Sequence, residues 1–241
     1  MKKQNKKVKG ETLVNFILDK SGSMESIKSA TISGFNEYIK TLKKDGNKYS
    51  FSLTLFDTVI ATPYQNKNLE AVKDLNNESY SPNGMTALYD AVCSTIKGIK
   101  EKPWQKVINI IMTDGEENSS KEYTQIEMKV MIEERTKKGN WTFVYLGANQ
   151  DSYVNAQKFG IPQMNVANFL ATTGGVANAM GTMASNTASF ASMSNTTSTA
   201  DFFSKGDQSS LEVDNDQDKI SQHFSGLGKK SWEKRKKDLL S

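Results

Sequence analysis

Three stretches of this chain are apolar almost without interruption, and no other feature restricts its fold so much: TLVNFIL (residues 12–18), VINIIMT (107–113) and WTFVYLG (141–147). A strand with one face in water alternates apolar and polar side chains, whereas a strand covered on both faces is apolar throughout, as in a parallel sheet sandwiched between helices. A fourth run, YSFSLTLF (49–56), does alternate and leads straight into DTVIATPY, which predicts a hairpin whose second strand lies at a sheet edge. Between the runs lie helical stripes: SIKSATISGFNEYIKTLKK (26–44), TALYDAVCSTIKGIKEK (86–102) and YTQIEMKVMIEERTKKG (123–139), the last with a basic final turn and a glycine placed to cap it. Parallel strands need crossover connections, and right-handed ones are strongly favoured. The expected fold is α/β: a doubly wound, mostly parallel sheet with one antiparallel edge strand and helices on both faces.

Further along, 148–160 reads as a helix, MNVANFLAT (164–172) as a short edge strand, and the Ala/Ser/Met-rich stretch 174–203 as a long final helix with a thin apolar face. A chain of 241 residues with 37% hydrophobic content suits one large domain with appendages. The expected division is a basic N-terminal arm (1–10), a domain (11–203), and a flexible or partner-dependent tail (204–241). The net charge of +4 is concentrated in MKKQNKKVKG and KKSWEKRKK. Neither run interleaves aromatics with its charges, so both read as solvated termini and no specific nucleic-acid surface is expected. Cys93 is the only cysteine, which excludes an intrachain disulfide and fits a reducing compartment. LVNFIL is too short for a signal peptide or membrane span, so the expected location is cytoplasmic, or the virion if the chain is phage-encoded. The acidic run DQSSLEVDNDQDK lacks the glycine turn and bidentate Glu of an EF-hand.

Chemistry gathers at the strand ends. In an open α/β sheet, ligands bind outside the carboxyl ends of the strands, where the strand order reverses. The first strand ends in Asp19-Lys20-Ser21-Gly22-Ser23, the third in Thr113-Asp114, and Thr86 stands just before a helix, after Asn83 and Gly84. Side chains two apart in a turn can point to one side, and Gly22 is expected to let the turn bend tightly. Asp19, Ser21, Ser23, Thr86 and Asp114 are all hard oxygen donors, with no imidazole or thiolate among them, which suits Mg²⁺ or Mn²⁺ far better than zinc.

Asp19-Lys-Ser21-Gly-Ser23, then Gly84-Met-Thr86-Ala-Leu-Tyr-Asp90-Ala, then Thr113-Asp114-Gly115 together resemble the von Willebrand factor A (vWA) domain with a complete metal-ion-dependent adhesion site, over roughly residues 10 to 200. The resemblance implies a Rossmann-like fold in which Ser21, Ser23 and Thr86 coordinate the metal by their hydroxyls and Asp19 and Asp114 directly or through water. It also implies a non-catalytic module that takes an Asp or Glu carboxylate of a partner protein onto the metal. The chain lacks flanking cysteines and a secretion signal, which points to the intracellular, bacterial or phage-encoded members that serve as assembly or scaffold modules.

Other readings stand beside this one. Ser21 or Ser23 is a natural helix N-cap, although capping does not call for Thr86 and Asp114. Asp90 is expected to support the site rather than ligate, Glu116 and Glu117 to face solvent beside it, and Asp57 to belong to the hairpin turn. A second function is structural assembly, as in a virus particle, through the final helix and tail. A third is Mg²⁺-dependent phosphohydrolysis of the haloacid dehalogenase type, but that chemistry wants an Asp where this chain has Ser21. The chain has no phosphate-binding GxxxxGK[ST] loop and no GxSxG elbow, and its one histidine, His223, lies in the tail.

Overall fold

The computed structural model describes residues 10–102, 105–148, 152–193, 199 and 201–211. Six strands form one sheet: β1 (Thr12–Asp19), β2 (Tyr49–Phe56), β3 (Ile60–Asn68), β4 (Lys106–Thr113), β5 (Trp141–Ala148) and β6 (Val166–Phe169). Their order is β3-β2-β1-β4-β5-β6, with every pairing parallel except the antiparallel β2–β3 hairpin at one edge. The apolar runs mark the four inner strands to within a residue or so. All of β1, β2, β4 and β5 is buried, while β3 is half-buried or exposed along its length.

Helices cover both faces. Side chains at alternate positions of β1 (Val14, Phe16, Leu18) pack against α1 (Lys28–Lys44) and α5 (Thr173–Ser192), and the other set (Leu13, Ile17) packs toward α2 (Leu88–Gly98), α3 (Gln125–Lys137) and α4 (Ser152–Lys158). The period of two along a strand thus feeds two separate cores. Asn15, the one polar residue inside TLVNFIL, lies opposite Asn109 in the register and donates to its Oδ1 at 3.0 Å, so the polar interruptions of the two runs pair with each other.

Two local expectations change. The helix read from the sequence over 26–44 begins at Lys28, and its first two positions belong instead to a 3₁₀ turn, Gly22–Ile27, ahead of it. Gly22 is not among the glycines with positive φ, so the bend does not need its conformational freedom. Its N–H instead donates to the Gly84 carbonyl at 3.1 Å. The final helix ends at Ser192, and a further helix, α6 (Lys205–Leu211), follows at the head of the stretch read as a tail. It packs on β6 and α5 and buries Leu211. The basic arm, the acidic run after Leu211 and His223 lie outside the described residues. Among the described residues, no helix is long and apolar enough to cross a membrane.

Candidate metal centre

β1 and β4 are neighbours in the middle of the sheet, where the chain order reverses, and their carboxyl ends deliver Asp19 and Asp114 side by side. Asp19 is fully buried. Its Oδ1 accepts the Ser21 N–H at 2.6 Å, and its Oδ2 accepts the Thr113 hydroxyl at 2.5 Å. Burial pushes the Asp19 carboxyl up to about 6 despite those hydrogen bonds, and burial raises that of Asp114 as well. The site therefore holds two carboxylates whose negative charge is poorly solvated.

The hydroxyls turn toward them. Ser21 stands at the cap position of the 3₁₀ turn, but its side chain makes no capping bond there. Its Oγ lies 3.1 Å from Ser23 Oγ, which in turn donates to Asp114 Oδ1 at 2.6 Å. Thr86, buried, arrives from a separate loop before α2. Gly115 locates the common centre. A methyl group there would sit 2.9 Å from Thr86 Oγ1, 3.4 Å from Ser23 Oγ and 3.7 Å from Asp19 Oδ2. Oxygens from two segments, the Asp19–Ser23 turn and the loop of Thr86, thus close on the third, which carries Asp114 and Gly115, and the set is made of hard oxygens alone. The chemistry of the set fits a small divalent cation coordinated by carboxylate and hydroxyl oxygens.

Backbone hydrogen bonds lock the three loops to one another. The Lys20 carbonyl accepts from Asn83 N–H at 2.9 Å, and Ala87 N–H donates to Asp57 O at 3.1 Å. Gly84 has φ +70°, and a side chain there would meet Thr58 Oγ1 at 2.8 Å, so this contact between the loop and the hairpin turn requires glycine. Asp57 forms the hairpin turn as expected, accepting from Val59 N–H, and also pairs with Lys20 at 2.6 Å.

Supporting residues appear that the sequence did not disclose. The buried Tyr80 donates its hydroxyl to the Asp19 carbonyl at 2.7 Å. Asn118 clamps Thr86, accepting its N–H through Oδ1 at 2.8 Å and donating its own N–H to the Thr86 carbonyl at 3.0 Å. Asp90 does not turn toward the centre. Its carboxylate accepts the backbone N–H groups of Lys121, Glu122 and Tyr123 at 2.7–3.0 Å. Glu116 is exposed, as expected. Glu117 is not simply solvent-facing, since it accepts from Tyr89, Ser119 and Ser120 N–H at 2.7–3.0 Å. An Asn or Glu in a run such as GEENSSKEY reads as loop chemistry, and nothing local shows which distant N–H it will meet.

No known family's sequence profile matches the chain, and no curated protein matches it. Solved structures do. Proximal thread matrix protein 1 from the mussel byssus is 14% identical with a TM-score of 0.55, the match covering 74% of this chain and 46% of that one. A von Willebrand factor type A protein from Catenulispora acidiphila is 17% identical with a TM-score of 0.54, covering 74% and 43%. The mussel protein with a zinc-occupied MIDAS motif, its metal-ion-dependent adhesion site, is 12% identical with a TM-score of 0.50, covering 71% and 46%. The match thus spans less than half the length of each of these proteins. Identities this low speak to architecture alone, and on that the topology and the neighbours agree: the chain has the Rossmann-like von Willebrand factor A fold.

Proposed function

We propose that this protein is a non-catalytic interaction module. Asp19, Ser21, Ser23, Thr86 and Asp114 would hold Mg²⁺ or Mn²⁺, and the module would bind a partner protein through an Asp or Glu carboxylate of that partner. The observation that carries the reading is the crowding over Gly115, where oxygens of the Asp19–Ser23 turn and of Thr86 close on the segment that carries Asp114, itself bonded to Ser23. A mussel protein of the same fold, with zinc in its MIDAS motif, supports the assignment of the site to a metal.

The bound cation would supply the positive charge that attracts a partner carboxylate into a semi-enclosed site. The chain's own residues prepare for this. Asp19 and Asp114 bring negative charge out of bulk water, where its attraction for a cation is least screened. Hydrogen bonds from Thr113 and Ser21 fix the Asp19 carboxylate, while Asn118 fixes Thr86, so little ordering is needed when ligands arrive. The non-catalytic reading rests on the donor set: the position two after Asp19, where a phosphohydrolase of the aspartyl-nucleophile kind has its general acid, is Ser21.

The test is thermal unfolding in Mg²⁺, Mn²⁺ or EDTA, followed by partner capture from host extract under the same conditions. At a metal concentration about 100 times its Kd, linkage raises stability by about 2.7 kcal/mol, which shifts the Tm by several degrees in a domain of this size. Asp19→Ala should fold, lose that shift and lose divalent-dependent capture. A wild-type Tm indifferent to divalent ions, or a shift undiminished in Asp19→Ala, would overturn the proposal.

A further inference from the structure

Two large apolar side chains stand out in solvent beside the metal centre. Val59 is 69% exposed and Met85 52% exposed. The Asp19–Phe56 register places the β2–β3 turn, with Val59, next to the end of β1, and Met85 immediately precedes Thr86. The two segments touch: Met85 N–H donates to Thr58 Oγ1 at 2.9 Å. Their backbones are pinned, Val59 through its N–H and carbonyl to Asp57 and Met85 through Thr58. A single exposed apolar residue on a surface needs no explanation. Here two come from separate segments, both held rigidly at the rim of one site. Their backbones need no further ordering on binding, and methionine is well suited to an adaptable contact. On the opposite side of β1, the β4 loop presents the exposed carboxylate of Glu116, and the exposed Glu25 follows Ser23.

We infer that the partner segment carries one Asp or Glu with an aliphatic or aromatic neighbour that packs on Val59 and Met85, and no adjacent acidic residue. This rests on the metal-dependent carboxylate binding proposed above and names the sequence class that such a site selects. Apolar contact on the β2 side adds affinity, while Glu116 and Glu25 repel a second acidic residue, so the rim favours an isolated carboxylate over an acidic run.

The experiment probes an array of decapeptides with the full chain in Mg²⁺ and in EDTA. Each peptide has one central Glu or Asp, and its neighbours are Leu, Phe, Ser or Glu. Capture should need Mg²⁺ and be about fivefold stronger with Leu or Phe than with Ser neighbours, the worth of roughly 40 Å² of buried apolar surface. Glu neighbours should give the weakest signal. The double variant Val59→Ser/Met85→Ser should lose the preference while its Mg²⁺-induced rise in Tm stays. Equal capture of Leu- and Ser-flanked peptides by the wild type, or a preference surviving in the double variant, overturns this inference and leaves the metal reading standing. Absence of any Mg²⁺-dependent Tm rise in the wild type removes both.

Discussion

At the scale of single residues, the centre depends on an atom that is missing. Gly115 does not have positive φ, so its backbone conformation is open to any residue. What it cannot tolerate is volume, since a Cβ would lie 2.9 Å from the buried Thr86 Oγ1 and within 3.7 Å of Ser23 Oγ and Asp19 Oδ2. Gly115→Ala therefore separates fold from metal binding. The variant should keep its stability in EDTA to within about 1–3 kcal/mol, the usual range for overpacking one site. Its Tm should no longer respond to Mg²⁺ or Mn²⁺. A retained divalent shift would mean that the cation sits away from Gly115. The ligand candidates themselves stand out in the sequence because five hydroxyl and carboxylate side chains interrupt strand and helix boundaries. Gly115 does not, since a glycine after an aspartate reads as a turn until tertiary structure brings Thr86 beside it.

At the scale of elements, regular structure was legible and its fastening was not. Unbroken apolar runs identify β1, β4 and β5, and the basic last turn with Gly139 marks the end of α3, where φ is +83°. Periodicity records burial along one segment and contains no information about loops meeting across the sheet. The junction of α2 with the β4–α3 loop shows what is lost. Helix α2 has no side-chain cap of its own: Tyr89 N–H finds Glu117 at 3.0 Å and Asp90 N–H finds Ser120 Oγ at 3.2 Å, both in that loop. Asp90 repays the loop by accepting three of its N–H groups. Asp90→Ala should destabilise the protein by about 3 kcal/mol in urea titration, since three charge-assisted hydrogen bonds lose their acceptor together. The loop also carries Asp114 and Asn118, so the Mg²⁺ concentration needed to raise the Tm should increase as well. An unchanged divalent midpoint would show that the loop and the centre are independent.

At the scale of the whole molecule, the two ends of the sheet divide their tasks. The carboxyl ends of β1 and β4 carry the proposed metal site, whereas the opposite end of β4 secures the C-terminal end of helix α5. Lys106, the first residue of β4, is 2% exposed, and its ammonium donates to the carbonyls of Phe190, Ala191 and Met193 while lying 4.8 Å from the centre of the Phe190 ring. A cation at a helix C-terminus neutralises the carbonyls left without partners there, and the ring face adds to the attraction. A lysine beside an apolar strand ordinarily keeps its ammonium in water, and the helix end that holds this one lies more than eighty residues away in the chain. Lys106→Met preserves the stem but leaves three carbonyls without their donor, and should lower stability by about 2–4 kcal/mol. Hydrogen exchange should quicken in the last turn of α5 while the divalent-induced Tm rise at the far end of β4 persists. The pH dependence gives an independent check. Burial lowers the Lys106 pKa from 10.5 in the folded state, so above the folded value the unfolded chain binds more protons and stability rises with pH until both forms are neutral. The wild type should therefore gain on Lys106→Met as pH climbs toward 10.5. A gap that stays constant over that range would show that Lys106 is not held as a buried charge.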